Sequence, residues 1–390
     1  MIAATSRWAA GTGWSPSLPI PASDDHDLAL AFGDASVMEH PEQPMAQLMA
    51  AWQGRSLIGC TTAGQFDGDA VVDGTLVVTV LQFESTRVVN AHADLARSGS
   101  ARRAGRELAE ALAQPDLAAI FVLVDGVSLN GSALADGIAD VLPDVALSGG
   151  LAADGMRFER CGTVVDGEMV GGHATAIGLV GPDVQVGFGS MGGWQPFGPD
   201  RVVTRSFGNV LYELDGRRAS DVYLQYLGDR TDALPASGWS LPMAITDLDG
   251  RTVVRSVRAV HQDEGSVTFT GDVPQGSTAQ LMRGSVEGLV GAARTAAEQA
   301  SDGHECVAIA VSSAGRRAAL GERVEDELDA ALSGLNDDVV LVGFYGYGEF
   351  APDVGTNDVY DQSMTITTLG ERLHTSDSRG GEHGRSTAAA

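Results

Sequence analysis

The sequence predicts an α/β (or α+β) protein of two pseudo-symmetric domains, each a mixed sheet with packed helices. Three observations predict it. Strand-length apolar runs alternate with helix-length amphipathic ones. A strand-into-glycine phrase is written twice, L-I-G-C-T-T-A-G-Q-F at residues 57–66 and L-V-G-F-Y-G-Y-G-E-F at residues 341–350. The length of 390 residues is more than one ordinary core serves.

Residues 1–25, with Pro16, Pro19 and Pro21, read as a loosely ordered lead-in. Residues 28–32 form a buried strand. Residues 44–53 are a helix by the spacing of Met45, Leu48, Met49 and Trp52, stopped at Gly54. The first glycine phrase follows. Residues 71–83 and 87–93 are rich in β-branched residues, and Asp73-Gly74 gives a hairpin signal. Helix 102–113, strand 118–124, helix 132–141 and strand 145–147 come next, the last feeding Gly149-Gly150 and then Asp154. Several strands occupy residues 157–207, and a helix covers 219–226. Strands at 243–246, 252–260, 266–270 and 277–282 precede a helix at 286–300. Strand 306–311, helix 317–332, strand 339–342 and a last strand at 358–368 close the order. The domains expected are a lead-in (1–26), an N-terminal domain (27–215), a C-terminal domain (216–369) and a disordered tail (370–390) that is short of apolar residues.

The charge is unusual. Against 52 acidic residues stand 25 basic ones, all arginine, for a net charge of −27. Such a surface disfavours nucleic acid and anionic membranes as partners, and equally fits a GC-rich or salt-adapted genome. The three cysteines, Cys60, Cys161 and Cys306, show no C-x-x-C spacing, which fits a reducing cytoplasm. The N-terminus lacks a signal-peptide pattern, and no apolar run approaches a membrane span.

Polar groups at the carboxyl ends of buried strands are where open α/β sheets place ligands. Candidate ligand contacts are therefore Cys60, Thr61, Gly64 and Gln65 in the first phrase, Gly149, Gly150 and Asp154 in the middle one, and Tyr345, Tyr347 and Glu349 in the last, with Trp194 as an aromatic wall. Each has a structural alternative: glycines shaping strand ends, carboxylates capping helices, a buried inert cysteine. Neither repeated phrase carries G-K-[ST] or opens a helix with G-x-G-x-x-G, so nucleotide binding is disfavoured. The eight histidines are scattered without metal-ligand spacing. No dyad or triad supports an enzyme, which is the least favoured reading.

These motifs resemble the FIST family of sensory domains. Residues 57–66 look like its G-C-[ST]-T-A-G-E segment and residues 148–154 like its G-G-x-A-x-D segment. Residues 192–198, Val202-Val203-Thr204 and Leu214-Asp215-Gly216 are similar to its G-x-x-P-x-G…V-T…L-D-G run, and residues 343–350 to its G-F-Y-x-Y-G-E. Two departures stand out: Asp361-Gln362-Ser363 replaces the family's N-Q-T, and Gln65 replaces its usual Glu. The resemblance implies a cytoplasmic, non-enzymatic sensor of a small molecule, amino acids being the proposed ligands, with output through a signalling partner protein. It also implies an alternative, a haem-based nitric-oxide sensor. No catalytic residue set comes with it.

Overall fold

Three strands of the chain are apolar on both faces, Asp27–Gly33, Leu117–Val124 and Val307–Ser313. Strands buried on both faces belong at the centres of covered sheets. In the computed structural model, which describes residues 1–18, 26–40, 42–52, 55–127, 130–228, 236–353 and 356–372, each of them is the middle of one sheet.

The three sheets share one construction. On one side of each central strand lies a parallel neighbour, respectively Ser56–Thr61, Ala146–Leu151 and Val340–Gly346. A parallel neighbour requires a crossover. Helices Pro44–Trp52 and Gly131–Ala139, and the pair Ala314–Leu320 and Val324–Leu332, supply it. On the other side lies an antiparallel strand: Thr75–Gln82, His173–Val180 and Met364–Glu371. Beyond that come Ile2–Ala9, Arg87–Asp94 and Val184–Met191.

The units are locked together by exchanged hairpins. After its parallel strand, each unit leaves its own sheet and lays two short strands on that of another. Gln65–Asp67 and Ala70–Val72 extend the third sheet, Thr163–Val165 and Glu168–Val170 the first, and Gly348–Asp353 and Thr356–Tyr360 the second. The cycle closes: first to third, third to second, second to first. The mixed α/β class read from the sequence is the class observed, and the two repeated phrases belong to a set of three.

One position carries the signature of that set. Gly59, Gly149 and Gly343 are equivalent, each near the carboxyl end of its parallel strand. A Cβ there would run into the carbonyl oxygens of Ala31, Val122 and Ala310 on the central strands. Close backbone approach requires glycine at all three.

Between Val184–Met191 and helix Val286–Ala300 the chain inserts a nine-stranded antiparallel sheet with helix Ala219–Leu227. It has its own core, including Val203, Leu211, Val222, Tyr223, Val257, Phe269 and Leu281. The turn at Asp215, where the sequence reading places a domain boundary, lies within this sheet, since Val210–Leu214 pairs with Ser266–Phe269. The helix that returns the chain starts on Ser285, whose hydroxyl accepts from Gly288 N. It presents a face of small residues, Ala292, Ala293, Ala296, Ala297 and Ala300. That face packs so closely on Gly187 and Gly189 of the neighbouring strand that a Cβ at either would strike a helix carbonyl.

Five expectations need correcting. Residues 317–332, read as one helix, are parts of two, Ala314–Leu320 and Val324–Leu332, separated by a 3-10 turn at Gly321–Arg323. Residues 252–260, read as one strand, are Thr252–Arg255 and Val257–His261, which pair with different strands. The lead-in is largely strand: Ile2–Ala9 pairs with Thr75–Gln82 along its whole length and buries Trp8. Asp73-Gly74 does not join a hairpin, because Ala70–Val72 and Thr75–Gln82 go to different sheets. The run at 358–368 is two strands, broken at residues 361–363, where three polar residues follow one another and Gln362 takes a φ of 63°. The lead-in prolines Pro19 and Pro21, the helix stop at Gly54 and the tail from residue 373 lie outside the described residues.

Candidate functional site

The three glycine-rich strand ends meet at the centre of the molecule and hydrogen-bond in a ring. Ala63 N donates to Tyr345 O (2.8 Å), Ala153 N to Thr61 O (2.9 Å) and Tyr347 N to Leu151 O (3.0 Å). Backbone groups that would face a ligand at a free strand end are thus committed to one another.

Most of the predicted residues sit in this knot, buried and partnered. Cys60 is fully buried, and burial pushes its thiol pKa well up, which makes it a poor nucleophile. Thr61 Oγ1 accepts from Gly162 N at 3.0 Å. Gly64 lies against the Arg317 guanidinium, which donates to Ala63 O and pairs with Asp73 at 2.6 Å. Gln65 is satisfied with its amide nitrogen toward Thr75 Oγ1 (3.1 Å) and Val72 O (2.8 Å) and its oxygen toward Thr62 and Asp34 N. Gly149 and Gly150 are ladder residues opposite Phe350 and Glu349. Tyr345 OH donates to Glu327 (2.7 Å), which in turn binds Arg316 (2.6 Å), neither member of that ion pair having exposed side-chain surface.

Asp154 and Tyr347 are each other's partners. Asp154 accepts from the Tyr347 hydroxyl and from Phe158 N (2.9 Å), Glu159 N (2.9 Å) and Arg160 N (2.7 Å). Burial alone would raise its pKa; the hydrogen bonds from Tyr347 and the three amides outweigh that and hold it below the usual carboxylate value. Phe158 stacks on Tyr347, ring centroids 3.9 Å apart, and Trp239 closes over both.

Glu349 is different. Its Oε2 accepts from Ser363 N (3.2 Å) and Ser363 Oγ (2.7 Å), but its Oε1 has no partner. Next to it Asp361 accepts from Thr270 Oγ1 through Oδ2, while Oδ1 has no partner. Between Asp361 and Ser363, Gln362 donates to Trp239 O (3.2 Å) and Ser256 Oγ (2.9 Å) and leaves its Oε1 unpaired. All three side chains are buried, at 0–2% exposure. Burial, and then the charge of Asp361, push the Glu349 pKa well up. Burial pushes Asp361 up to about 7 against the opposing pull of Arg255 and Thr270. Trp194 holds this segment by donating from Nε1 to Gln362 O at 2.7 Å.

A groove of about 380 Å³ opens above Asp361 and Ser363. Its walls are residues 188–192 and Gln299 from the core, Thr252 and Val254 from the inserted sheet, and Pro352 and Tyr360 from the exchanged hairpin. It is therefore a joint between the three-unit core and the insertion. Arg255 secures that joint from the insertion side, donating to Ser132 Oγ (3.2 Å) and pairing with Asp358 (3.2 Å).

None of the predicted residues lines this groove; Glu349 and Trp194 contact the segment that does, through Ser363 and Gln362 O. Asp361, Gln362 and Ser363 were visible in the sequence only as a departure from a family pattern. Their other signal is three consecutive polar residues interrupting a strand run. Two other surface clefts, about 530 and 470 Å³, are lined by His92, Asp94, Arg97, Arg103, Glu107 and His173, and by Met38, Met45, Met49 and Met169 with their neighbours. Among the described residues, neither cleft holds a buried polar side-chain atom without a partner. Among the described residues no cluster of three His, Cys, Asp or Glu side chains has the arrangement of a metal site, and no helix is long and apolar enough to cross a membrane.

In sequence the chain matches the FIST N domain over residues 27–217 and the FIST C domain over residues 219–352. It is 24% identical over 259 residues to an uncharacterised protein of Methanocaldococcus jannaschii, covering 60% of this chain and 49% of that one. The chain thus spans about half the length of the curated relative it matches. Among solved structures it is similar to a cyanuric acid hydrolase from A. caulinodans, with a TM-score of 0.38 and 10% identity over 96% of this chain and 99% of that one. With both of its domains matched in order, the chain belongs to the FIST family.

Proposed function

We propose that this chain is a cytoplasmic ligand-binding sensor that takes a small polar metabolite, an amino acid or a close analogue, in the groove above Asp361 and Ser363. FIST domains are associated with sensory and signal-transduction roles. The observation that carries the reading is Asp361, a buried residue lining the groove whose carboxylate Oδ1 has no partner, in contrast to Asp154, which is held by three amides and a tyrosine hydroxyl. A buried polar atom left unsatisfied costs about 1–3 kcal/mol, which a ligand supplying its partner recovers.

The groove's walls come from two separately cored bodies, so a ligand that touches both favours one arrangement of them over others. Output then passes to a signalling partner protein through the insertion. Three free cysteines fit the cytoplasmic placement.

A thermal-shift screen with amino acids, small organic acids and haemin tests this, using wild type and Thr252→Trp, which fills the groove from the insertion side. A ligand that binds only the folded state raises Tm by mass action. The expected result is a shift with an amino acid or close analogue that disappears in Thr252→Trp. A shift that survives Thr252→Trp, or one seen only with haemin, overturns the reading.

A further inference from the structure

We infer that the groove is an edge-strand site, which takes a short free peptide of about three residues in extended form and holds it by backbone hydrogen bonds. This rests on the groove being the ligand site, and it selects among amino-acid analogues those with a peptide backbone.

The groove lies where two sheets end. Val184–Met191 is the outermost strand of the third core sheet, and Thr252–Arg255 is an outermost strand of the inserted sheet. Each pairs on one side only. Both line the groove, the first through residues 188–191 and the second through Thr252 and Val254. Along an antiparallel strand, alternate residues turn their N–H and C=O to opposite sides. Asp183 O accepts from Arg372 N on the paired side, so Phe188 and Ser190 turn theirs away from it. Arg251 O accepts from Asp247 N on the paired side, so Thr252 and Val254 turn theirs away from it. The two groove-lining residues of the second strand are thus the two whose backbone faces outward. Among the described residues, no further strand takes up the outward groups of Phe188, Thr252 and Val254.

One outward group shows what it accepts as a partner. Ser190 N donates to Oε1 of Gln299 (3.3 Å), an exposed side chain that also lines the groove. A side-chain amide is the same chemical group as a peptide bond, so Gln299 stands where the carbonyl of an added strand would. The open window is short. Gly192 O accepts from Arg316, and Val359 O, on the adjoining hairpin strand Thr356–Tyr360, accepts from Arg255. Two outward residues on each edge span about 7 Å of strand, the reach of about three residues of an added one. A window of that size fits a small free peptide and leaves no room to extend a long strand. Asp361 Oδ1, on the same lining, offers an acceptor to a peptide N–H. A free amino acid brings no peptide bond to either edge.

Isothermal titration calorimetry on the full chain at pH 7 tests this with an uncharged matched series. Its members are N-acetylated, C-amidated tripeptides of alanine, serine and valine, the N-acetyl amides of the same single residues, and the free amino acids. Each tripeptide is also made with its second or its third residue N-methylated, which removes one N–H and keeps the side chains. The tightest blocked tripeptide should bind about tenfold or more tighter than its blocked single residue. N-methylation should weaken it about fivefold or more at one or both positions. Thr252→Trp should abolish its binding.

Blocked single residues that bind as tightly as the tripeptides overturn the inference. So does N-methylation without effect at both positions. If Thr252→Trp abolishes binding in either case, the groove stands and only the peptide assignment falls. Binding that survives Thr252→Trp removes the groove reading and the inference together. Binding of free amino acids with none by any blocked tripeptide overturns the inference and leaves the groove reading in place.

Discussion

Two buried carboxylate sites in this molecule have opposite fates. Asp154 sits 1% exposed and accepts four hydrogen bonds, from three amides and a tyrosine hydroxyl. Glu349 and Asp361 are equally buried, yet each leaves one oxygen without a partner, and they share their surroundings with a third orphan on Gln362. The first site has its ionised form stabilised and its pKa lowered; the second has it penalised and raised. Burial pushes both sites up; at Asp154 the hydrogen bonds from Tyr347 and three amides outweigh it, whereas at Glu349 the charge of Asp361 adds to it and the bonds from Ser363 do not offset the sum. A carboxylate whose partners are all protein is holding the fold together. Asp361, with an open acceptor on a residue lining the groove, is where the proposed ligand would supply the missing partner.

The comparison can be broken most forcefully at Asp154. Asp154→Ala strands three amides and leaves the Tyr347 hydroxyl only Gly155 O (3.2 Å), and should cost about 3–5 kcal/mol in urea unfolding. A loss below about 1 kcal/mol would mean that water replaces the carboxylate and that Asp154 is not structural.

Asp361→Asn should act in the opposite direction. A raised folded-state pKa adds stability that is fully present below the unfolded value of about 3.9 and is lost as pH rises through the folded value of about 7. Removing the ionisable group should therefore make the protein more stable than wild type at pH 8, by about 1–3 kcal/mol. The two should converge toward pH 4. A variant less stable than wild type at pH 8 would show that the Asp361 charge is well compensated.

Tyr347→Phe keeps the stack on Phe158 but removes the donor to Asp154, and should cost about 1–2 kcal/mol by thermal or urea unfolding. The smallest effect belongs to Glu371, whose carboxylate accepts from Glu84 N (2.7 Å), Ser85 N (3.0 Å) and Thr86 N (2.9 Å). Burial raises its pKa, and those bonds override it to bring it to about 2. Its contribution is present above the unfolded value of about 4.3 and fades as pH falls toward about 2. Discounted for solvent screening, Glu371→Gln should cost about 1 kcal/mol at pH 7 and nothing measurable at pH 2.

Much of the fold was legible because its signals are local. Helix Val286–Ala300 follows from small apolar residues at helical spacing behind a serine cap, and the central strands from unbroken apolar runs. The threefold exchange was not legible. Its hairpins use strands as short as three residues, and Thr163–Val165 finds its partner at Cys60, far back in the chain. Asp73-Gly74 shows the limit plainly: a turn signal tells where the chain bends, not which sheet receives the next strand. The same limit governs the site. Tyr347 and Asp154 have the same look in sequence whether a ligand or each other completes them, and only their approach in space separates the cases. Glu349 was found through the repeated phrase, whereas Asp361 belongs to no repeat and shows in sequence only as a departure from the family's N-Q-T; its unpartnered buried oxygen is seen only in the structure.

The most direct test sets the two sites against each other in one assay: the ligand-induced rise in Tm of wild type, Tyr347→Phe and Asp361→Asn at pH 8, with the amino compound that binds wild type. The account predicts that Tyr347→Phe melts lower but shows the full ligand shift, while Asp361→Asn melts higher and shows little or none. Loss of the shift in Tyr347→Phe with its retention in Asp361→Asn would contradict the account, and would move the ligand from the groove into the central knot.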